Sequence, residues 1–320
     1  MPVHKYRVAL QEIAPYLSKE KTVFVGTVYG QGGWNWMVDE IKKKHNLNNI
    51  VTFAFGLIPW ICRLIEYGKK GVTYGCKAVN YAAVYPNQYF DQVNNEFFNE
   101  VCYKWFKKGQ TEQSDNFISL TLSVDNQIIH TSRCLGLYKA WGKTWKNQDD
   151  VPWFYRDYDD ISAKLLADLD ADYSKIRDVI KEMCPEKKFT HMLDYLSLER
   201  FSYQSANTDI KESFVTSQTL VSIKTPVKQN EEGLWEVDRN HRFFLDDIYY
   251  GNCIAKWMAE QLNIETPTID EILHWAQDVR GEKFIDENNR LILDSEYLTK
   301  PLKAGMPCLY GFKNVYDCID

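Results

Sequence analysis

The sequence predicts an α/β domain with a doubly wound sheet, followed by an all-helical domain, and three observations support this prediction. Short apolar runs alternate with amphipathic helical patterns in the N-terminal part of the chain, which is typical of a doubly wound parallel sheet. The alternation stops at a polar stretch, KKGQTEQSDN (107–116), which is suited to a domain boundary. Long helical patterns dominate after this stretch. We therefore expect one domain over residues 1–112 and a second over residues 113–320.

The elements of the first domain follow from hydrophobic periodicity and from the placement of proline. KTVFVGTV (21–28) is a short β-branched run of the kind that forms a buried parallel strand. WNWMVDEIKKKH (34–45) has helical spacing and ends in basic residues, which the helix dipole favours. Pro86 is a suitable residue to begin a helix. The predicted helices cover residues 6–17, 34–45, 59–67 and 87–106, and the predicted β structure covers residues 21–28, 49–55 and 72–84.

Helical spacing alone describes most of the second domain. Pro185 ends the first long pattern, and Thr266-Pro267-Thr268 provides an N-cap and a chain break before the last one. The predicted helices of this domain cover residues 159–183, 189–203, 209–223, 243–262 and 268–279.

Composition and charge exclude several classes of function. The chain has 320 residues with a net charge of −6, which argues against binding to nucleic acid or to anionic lipid. The most apolar stretch, residues 51–65, contains Arg63 and is too short to span a membrane, and MPVHKYRVAL at the N-terminus has no signal-peptide core. We therefore expect a cytoplasmic protein that binds neither nucleic acid nor membranes.

The eight cysteines favour the same compartment. No two of them form a C-x-x-C pair, and no pair of histidines has the spacing of zinc ligands, so the sequence predicts no metal site. A chain of this length builds its core without disulfides. We expect most of the cysteines to be reduced and buried, as in cytoplasmic proteins.

A glycine cluster, Gly30-Gln31-Gly32-Gly33, lies between a predicted strand and a predicted helix, which is the layout of a dinucleotide site. The cluster does not match G-x-G-x-x-G/A, because Asn35 stands where the last small residue is required. Two interpretations remain open: a tight turn that needs glycine for its backbone angles, or a helix N-terminus whose amides hold an anionic substrate or the nicotinamide end of a cofactor. The sequence therefore assigns no cofactor-binding residues.

Three polar residues of the second domain form a candidate catalytic set. His130 follows an apolar pair, a position that suits either a buried structural histidine or a catalyst. Arg242 and Asp247 lie in HRFFLDD (241–247) at the start of a predicted helix, where acidic residues also favour the helix dipole. A histidine, an arginine and an aspartate together suit an acid/base, a carboxylate clamp and an orienting carboxylate, but their spacing does not show that they meet.

Several segments occur in an order that points to one family. They are Gln31-Gly32-Gly33, LIPWICR (57–63), EYG (66–68), the His130 segment, HRFFLDDIYYG (241–251) and ETPTIDEILHWAQ (265–277). Over nearly its whole length the chain resembles the opine dehydrogenases, the octopine/nopaline dehydrogenase family. The resemblance implies a Rossmann-type cofactor domain, a helical catalytic domain and an oxidoreductase of the cytoplasm. It also implies the reductive condensation of a 2-oxo acid, usually pyruvate, with the amino group of an amino acid.

The resemblance also implies roles for individual residues. His130 matches the catalytic acid/base and Asp247 its carboxylate partner, chosen over Asp246 because the family places this acid five positions after the arginine. Arg242 matches the clamp for a substrate carboxylate, and Gln31 and Cys62 match positions that line the substrate cleft. The implied cofactor is NAD(H) or NADP(H), with NADH favoured, and the implied partners are small-molecule substrates of a monomeric enzyme.

One departure from the family pattern leaves alternatives open. Members carry a glycine fingerprint at the N-terminus, and this chain has none, so the resemblance implies an incomplete Rossmann-like sheet. The expectation is either an N-terminally truncated form or a shortened chain that no longer binds NAD(H) in the usual way. The alternative function is a catalytically inactive remnant that acts as a binding or interaction protein. A third is another two-domain dehydrogenase, such as a ketopantoate reductase or glycerol-3-phosphate dehydrogenase relative.

Overall fold

The computed structural model describes residues 1–217, 220–300 and 305–319, without the side chains of residues 63, 64 and 74. The α-helices are α1 (Tyr6–Ile13), α2 (Trp34–His45), α3 (Phe90–Val93), α4 (Lys104–Phe106), α5 (Ile118–Leu122), α6 (Asn126–Trp141), α7 (Asp160–Met183), α8 (Tyr195–Tyr203), α9 (Ile210–Val215), α10 (Arg242–Leu245), α11 (Cys253–Gln261), α12 (Pro267–Arg280) and α13 (Glu296–Thr299). The strands are β1 (Val23–Thr27), β2 (Ile50–Phe55), β3 (Trp60–Glu66), β4 (Lys70–Cys76), β5 (Val79–Tyr85), β6 (Gln110–Gln113), β7 (Val227–Gln229) and β8 (Trp235–Val237). Two π-helices cover Asn94–Tyr103 and Ile248–Asn252.

The chain divides into two compact units that alternate along the sequence. The first comprises Met1–Val124, Ile180–Ala206 and Pro307–Asp320, and the second comprises Asp125–Val179 and Asn207–Met306. This arrangement differs from the single division between residues 112 and 113 that the sequence predicts. The long helix α7 begins in the second unit and ends in the first.

The first unit is built on a four-stranded sheet with the order β1-β2-β5-β6. Strand β1 is parallel to β2 and β5 is parallel to β6, whereas β2 and β5 are antiparallel. All six residues of β2 are buried, as expected for a strand covered on both faces. Phe53 and Phe55 of this strand pack with Phe98 of the first π-helix at the centre of a hydrophobic cluster. The α/β class is therefore confirmed, but the sheet is mixed rather than wholly parallel.

The antiparallel pairing of β5 with β2 is made possible by a hairpin that the sequence analysis did not predict. The helix predicted over residues 59–67 is wrong, because Trp60–Glu66 forms strand β3 and pairs with β4. The turn between them contains Gly68 with φ of 70°, a conformation that favours glycine. Since a hairpin replaces a crossover helix here, β5 does not have to run parallel to β2. The β structure predicted over residues 72–84 is confirmed as parts of β4 and β5.

The second unit is mainly helical, as predicted. Its central helix is α6, in which every residue from Gln127 to Leu137 is buried. The helix predicted over residues 243–262 is divided into α10, a π-helix and α11. A short hairpin of β7 and β8 adds β structure that helical spacing did not predict. None of the helices in the described ranges combines the length and apolar character needed to cross a bilayer.

Most of the cysteines lie in the interior, as the sequence predicts. Cys62 is exposed and Cys308 is half-buried, whereas the other six are buried. Burial raises the pKa of Cys102 and of Cys318 to about 12. These two thiols are therefore protonated at neutral pH, which suits a role in packing rather than in nucleophilic chemistry.

Candidate active site

Two of the predicted site residues meet in the interior of the second unit. His130 lies in the middle of α6, and Asp247 follows α10, 117 positions along the chain. The Nδ1 atom of His130 lies 2.7 Å from Oδ2 of Asp247, and the two residues are 2% and 4% exposed. When Asp247 is ionised, its carboxylate only accepts hydrogen bonds, so in that state Nδ1–H is the donor and Nε2 of the neutral ring carries the lone pair.

A close approach between α6 and the second π-helix makes this contact possible. A Cβ atom on Gly251 would lie 2.6 Å from Cγ of Gln127, so only glycine lets the two elements come this near. Gln127 donates through Nε2 to the carbonyl oxygen of Tyr250 at 3.1 Å, and Asn252 donates through Nδ2 to that of Asp247 at 3.0 Å. These hydrogen bonds hold the backbone that carries the carboxylate.

The surroundings of Asp247 oppose its ionisation. Burial, together with the neighbouring carboxylates Asp246 and Asp125, raises its pKa well above the usual value, and Arg242 opposes this shift in part. Burial also lowers the pKa of His241 to about 4, so the imidazole that caps α10 is neutral at physiological pH. A buried carboxylate with a perturbed pKa, in contact with a histidine, is a common feature of catalytic sites.

Aromatic side chains enclose the imidazole of His130. The ring of Phe243 stacks on it with a centroid distance of 3.7 Å and an interplanar angle of 23°, and Phe154 packs against it edge-on at 5.7 Å. The hydroxyl group of Tyr155 lies 3.3 Å from Nε2 of His130. The sequence analysis missed Phe154 and Tyr155, which lie in an irregular segment and show no periodicity.

Arg133 fixes the segment that carries these two residues. It lies three positions after His130 on α6 and is fully buried. Its guanidinium donates to the carbonyl oxygens of Trp153, Phe154 and Asp157, to Oδ2 of Asp159 and to Oγ of Ser162. A buried arginine needs such a set of hydrogen-bond acceptors. An arginine on the buried face of a helix could therefore have indicated, from sequence alone, that another segment of the chain packs there and supplies them.

Arg242 is the first residue of α10 and is partly exposed. Its guanidinium carbon lies 5.7 Å from the centroid of the Phe243 ring, which itself stacks on His130. Among the residues that the structure describes, no carboxylate lies within ion-pair distance of this guanidinium. A guanidinium group of this kind is able to form paired hydrogen bonds with a carboxylate.

Gln31 and Cys62 lie in the first unit. Gln31 is fully buried in the turn between β1 and α2, where its Oε1 accepts a hydrogen bond from Tyr29 and its Nε2 has no partner among the described residues. Cys62 lies in β3 and is exposed, with its Sγ 2.9 Å from Oγ1 of Thr73. A role for either residue in substrate binding stays a prediction.

The glycine cluster is explained by the packing of the chain itself. A Cβ atom on Gly30 would lie 2.5 Å from Cβ of Ala54, and one on Gly33 would lie 2.0 Å from the Trp36 ring. Gly33 also has φ of 77°, which favours glycine. This geometry supports the tight-turn interpretation. Because protein atoms fill the space beside Gly30 and Gly33, these residues do not fit the cradle of a dinucleotide pyrophosphate.

Comparison with known proteins supports the resemblance. The family described as NAD/NADP octopine/nopaline dehydrogenase, alpha-helical domain, matches residues 113–280. The opine dehydrogenase of Haliotis discus hannai is 24% identical over 288 residues, which are 89% of this chain and 69% of that protein. The octopine dehydrogenase of Pecten maximus is 22% identical over 326 residues, which are 100% of this chain and 76% of that protein.

Solved structures show a similar fold. A structure of octopine dehydrogenase in complex with NADH and agmatine has a TM-score of 0.78 at 19% identity and covers 100% of this chain and 76% of its own. A structure of yersinopine dehydrogenase with NADP⁺ bound has a TM-score of 0.58 at 14% identity, covering 92% of this chain and 74% of its own. The fold of a Rossmann-like sheet with a helical domain is thereby confirmed.

Proposed function

The chain belongs to the octopine/nopaline dehydrogenase family, and on this premise we propose that it joins a 2-oxo acid to the amino group of an amino acid by NAD(P)H-dependent reduction. Pyruvate is the proposed 2-oxo acid. The observation that carries the proposal is the buried pair of His130 and Asp247, with Nδ1 and Oδ2 2.7 Å apart. The alternative of an inactive binding remnant is not favoured, because this pair is intact.

The pair suits the acid/base steps of such a condensation. The amine attacks the keto carbon, water leaves and an imine forms, so one group must accept a proton and later return it. A neutral histidine with its lone pair at Nε2 is suited to both tasks near neutral pH. Asp247 fixes the Nδ1–H tautomer and stabilises the imidazolium that forms when Nε2 takes a proton.

Arg242 is the proposed clamp for the carboxylate of the 2-oxo acid. Its planar guanidinium forms paired hydrogen bonds to a carboxylate and so orients the prochiral carbon. Support comes from its partial exposure and its position five residues before Asp247. We also propose, from the family resemblance, that Gln31 and Cys62 contact substrate.

The proposed reductant is NADH or NADPH, with NADH favoured, and it would supply the hydride for the imine. The family description names both cofactors, and the solved relatives hold NADH or NADP⁺. We assign no residue to the pyrophosphate, because the loop around Gly30 and Gly33 does not fit it. A cytoplasmic monomer is proposed on the family resemblance.

The proposal is tested by following NADH and NADPH absorbance with pyruvate and a panel of amines that includes arginine, alanine, glycine and taurine. We expect turnover with at least one amine, and a fall in kcat of about 10²–10⁴-fold in His130→Asn. His274→Asn is the matched control, since it removes an imidazole that bonds to Asn289 on the same unit. Absence of turnover with every pair, or unchanged turnover in His130→Asn, contradicts the proposal.

A further inference from the structure

We propose that Tyr155 is a catalytic residue through which His130 exchanges its proton with substrate, an inference that rests on the proposed function. The geometry that supports it is a continuous chain of three groups. Oδ2 of Asp247 lies 2.7 Å from Nδ1 of His130, and the hydroxyl of Tyr155 lies 3.3 Å from Nε2 of the same ring.

The first step of the argument concerns the lone pair of the imidazole. A neutral imidazole with its proton on Nδ1 has one acceptor position, in the ring plane at Nε2. The hydroxyl of Tyr155 is within hydrogen-bond distance of this position. A substrate atom and the tyrosine oxygen cannot both occupy it.

The second step concerns access from other directions. The Phe243 ring covers one face of the imidazole at 3.7 Å, and Phe154 packs against it at 5.7 Å. His130 is 2% exposed. Tyr155 is also buried, at 6% exposed, but it is the hydroxyl group within hydrogen-bond distance of Nε2. With one face of the ring covered by Phe243 and Nε2 beside this hydroxyl, the proposed route of the proton to substrate is the phenol.

The third step concerns how firmly the phenol is held. Tyr155 packs on Phe154 at 4.9 Å and on Phe214 at 5.3 Å. Arg133 bonds to the carbonyl oxygens of Trp153, Phe154 and Asp157, on both sides of Tyr155. Because Arg133 and His130 lie three positions apart on α6, the same helix holds both the base and the segment that brings the hydroxyl to it.

The relay balances in the dehydration step. The Nε2–H bond of the imidazolium breaks as an O–H bond forms at Tyr155, whose own O–H bond breaks as its proton passes to the hydroxyl of the carbinolamine. The C–O bond then breaks and water leaves with its electron pair, while the nitrogen lone pair forms the C=N bond. Tyr155 is unchanged, and His130 returns to the neutral form in which it began. Earlier in the cycle the substrate ammonium gives one proton through Tyr155 to Nε2, which yields the free amine and the imidazolium. The attacking nitrogen then gives a second proton to the keto oxygen, which yields the carbinolamine hydroxyl.

The relay predicts a change in the surroundings of Nε2 that packing alone would not produce. The hydroxyl of Tyr155 donates to Nε2 of the neutral imidazole and accepts from Nε2–H of the imidazolium, so Tyr155→Phe removes a hydrogen bond from both forms and should change the nitrogen-15 shift of Nε2. The charged and titratable groups that contact His130 or interact electrostatically with its partner Asp247 include Asp247 itself, Asp246, Arg242, Asp125, Cys134, Tyr173 and Tyr155. Only the last is altered in the variant.

The experiment compares Tyr155→Phe with Tyr158→Phe. Tyr158 is buried and packs on the same Phe214 ring at 4.4 Å, so its variant also removes a buried phenol hydroxyl beside that ring. For Tyr155→Phe we expect kcat to fall about tenfold or more and KM for pyruvate to stay within about twofold. Tyr158→Phe should show none of these effects.

Nitrogen-15 NMR of His130 separates failure of this inference from failure of the proposed function. In the native chain, Nε2 should show the shift of a hydrogen-bonded acceptor, and in Tyr155→Phe it should show the shift of an acceptor without a hydrogen bond. Unchanged kcat in Tyr155→Phe with an active native enzyme overturns the relay and leaves the function standing. If the native enzyme is inactive, the proposed function fails, and the relay to substrate fails with it. The NMR measurement then decides only whether the hydroxyl of Tyr155 forms a hydrogen bond with Nε2. If Tyr155→Phe does not fold, a native Nε2 shift without a hydrogen bond overturns the inference.

Discussion

Asp247 is a carboxylate whose surroundings in the folded protein disfavour its ionised form. Burial and Asp246 raise its pKa in the folded state above the unfolded value of about 4. A raised pKa means that the folded chain binds the proton more tightly than the unfolded chain does. The associated stability is present below about pH 4 and is lost as the pH rises through the folded-state pKa.

Replacement of this carboxylate should therefore change how stability depends on pH. We expect the stability of Asp247→Asn relative to the native chain to increase between pH 5 and pH 8, because the amide has no charge to bury. A single proton changes the free energy of unfolding by at most about 1.4 kcal/mol per pH unit, which sets the upper limit of this gain. Urea denaturation at pH 5, 6.5 and 8 measures it.

The control for this prediction is Asp278→Asn, which removes an exposed carboxylate from α12 of the same unit. Its stability relative to the native chain should stay nearly constant over the same range. If the relative stability of Asp247→Asn instead falls as the pH rises, the buried carboxylate does not have a raised pKa.

At the scale of single residues, spacing identified candidates but not contacts. His130 and Asp247 lie 117 positions apart, so only the family resemblance paired them, and the structure now places them 2.7 Å apart. Tyr155 had no signal of its own, because an irregular segment has no periodicity that sets one side chain apart. The information that places it is carried by Arg133, whose five acceptors are known only once the chain is folded.

Among the elements, the π-helix over Ile248–Asn252 has the clearest link to the site. Its backbone bond from the amide of Asn252 to the carbonyl oxygen of Asp247, 2.9 Å long, spans five residues and widens the turn. Gly251 faces α6 within this turn, where a Cβ atom would come within 2.6 to 3.0 Å of three side-chain atoms of Gln127. The position of the turn that carries Asp247 against α6 thus depends on residue 251 being a glycine, which has no side chain.

We expect Gly251→Ala to destabilise the protein by about 1–3 kcal/mol, the usual range for overpacking an interior contact. Activity should also fall, because a displaced turn moves Asp247 away from His130. Gln127→Ala removes two of the three clashing atoms, so it should recover part of the loss when combined with Gly251→Ala. Additive losses in the double variant, measured by urea denaturation against both single variants, would contradict this account.

The sequence predicted an element correctly where its hydrophobic spacing and the residues at its two ends indicated the same kind of element. The helix predicted over residues 34–45 is confirmed as α2, with glycine and asparagine in left-handed conformations at its two ends. Residues 59–67 were mispredicted because a short apolar run fits a helix or a strand, and the choice was made by pairing with β4. The pattern over residues 243–262 fits a continuous helix, because a single π-turn adds only one residue and local spacing does not distinguish it from α geometry.

On the scale of the whole chain, the units alternate because a late segment completes the first one. The amide of Ala78 donates to the carbonyl oxygen of Ser202 at 2.7 Å, and the rings of Tyr81 and His191 stack with a 5.1 Å centroid distance and an interplanar angle of 2°. Linear periodicity places residues 180–206 among the helices that follow residue 113. Their contacts instead join them to the sheet, which no local pattern reports.

This connectivity predicts which amides exchange together. Contiguous cooperative units open with a common free energy, so the amides of α8 should exchange with those of β5 rather than with those of α12. His191→Ala removes the stacked ring and should lower the free energy of opening of both α8 and β5 by about 0.5–1.5 kcal/mol. Amide exchange in both elements should therefore become faster. Hydrogen exchange followed by mass spectrometry or NMR under native conditions measures all three elements at once.

Phe284→Leu provides the converse variant, because Phe284 is buried in the second unit and packs against Tyr249. It should accelerate exchange in α12 more than in α8 or β5. If α8 follows α12 in both variants, the long helix α7 transmits stability more strongly than the contacts of Ser202 and His191 do. The pair of variants therefore decides whether side-chain contacts or chain continuity determines the cooperative units of this fold.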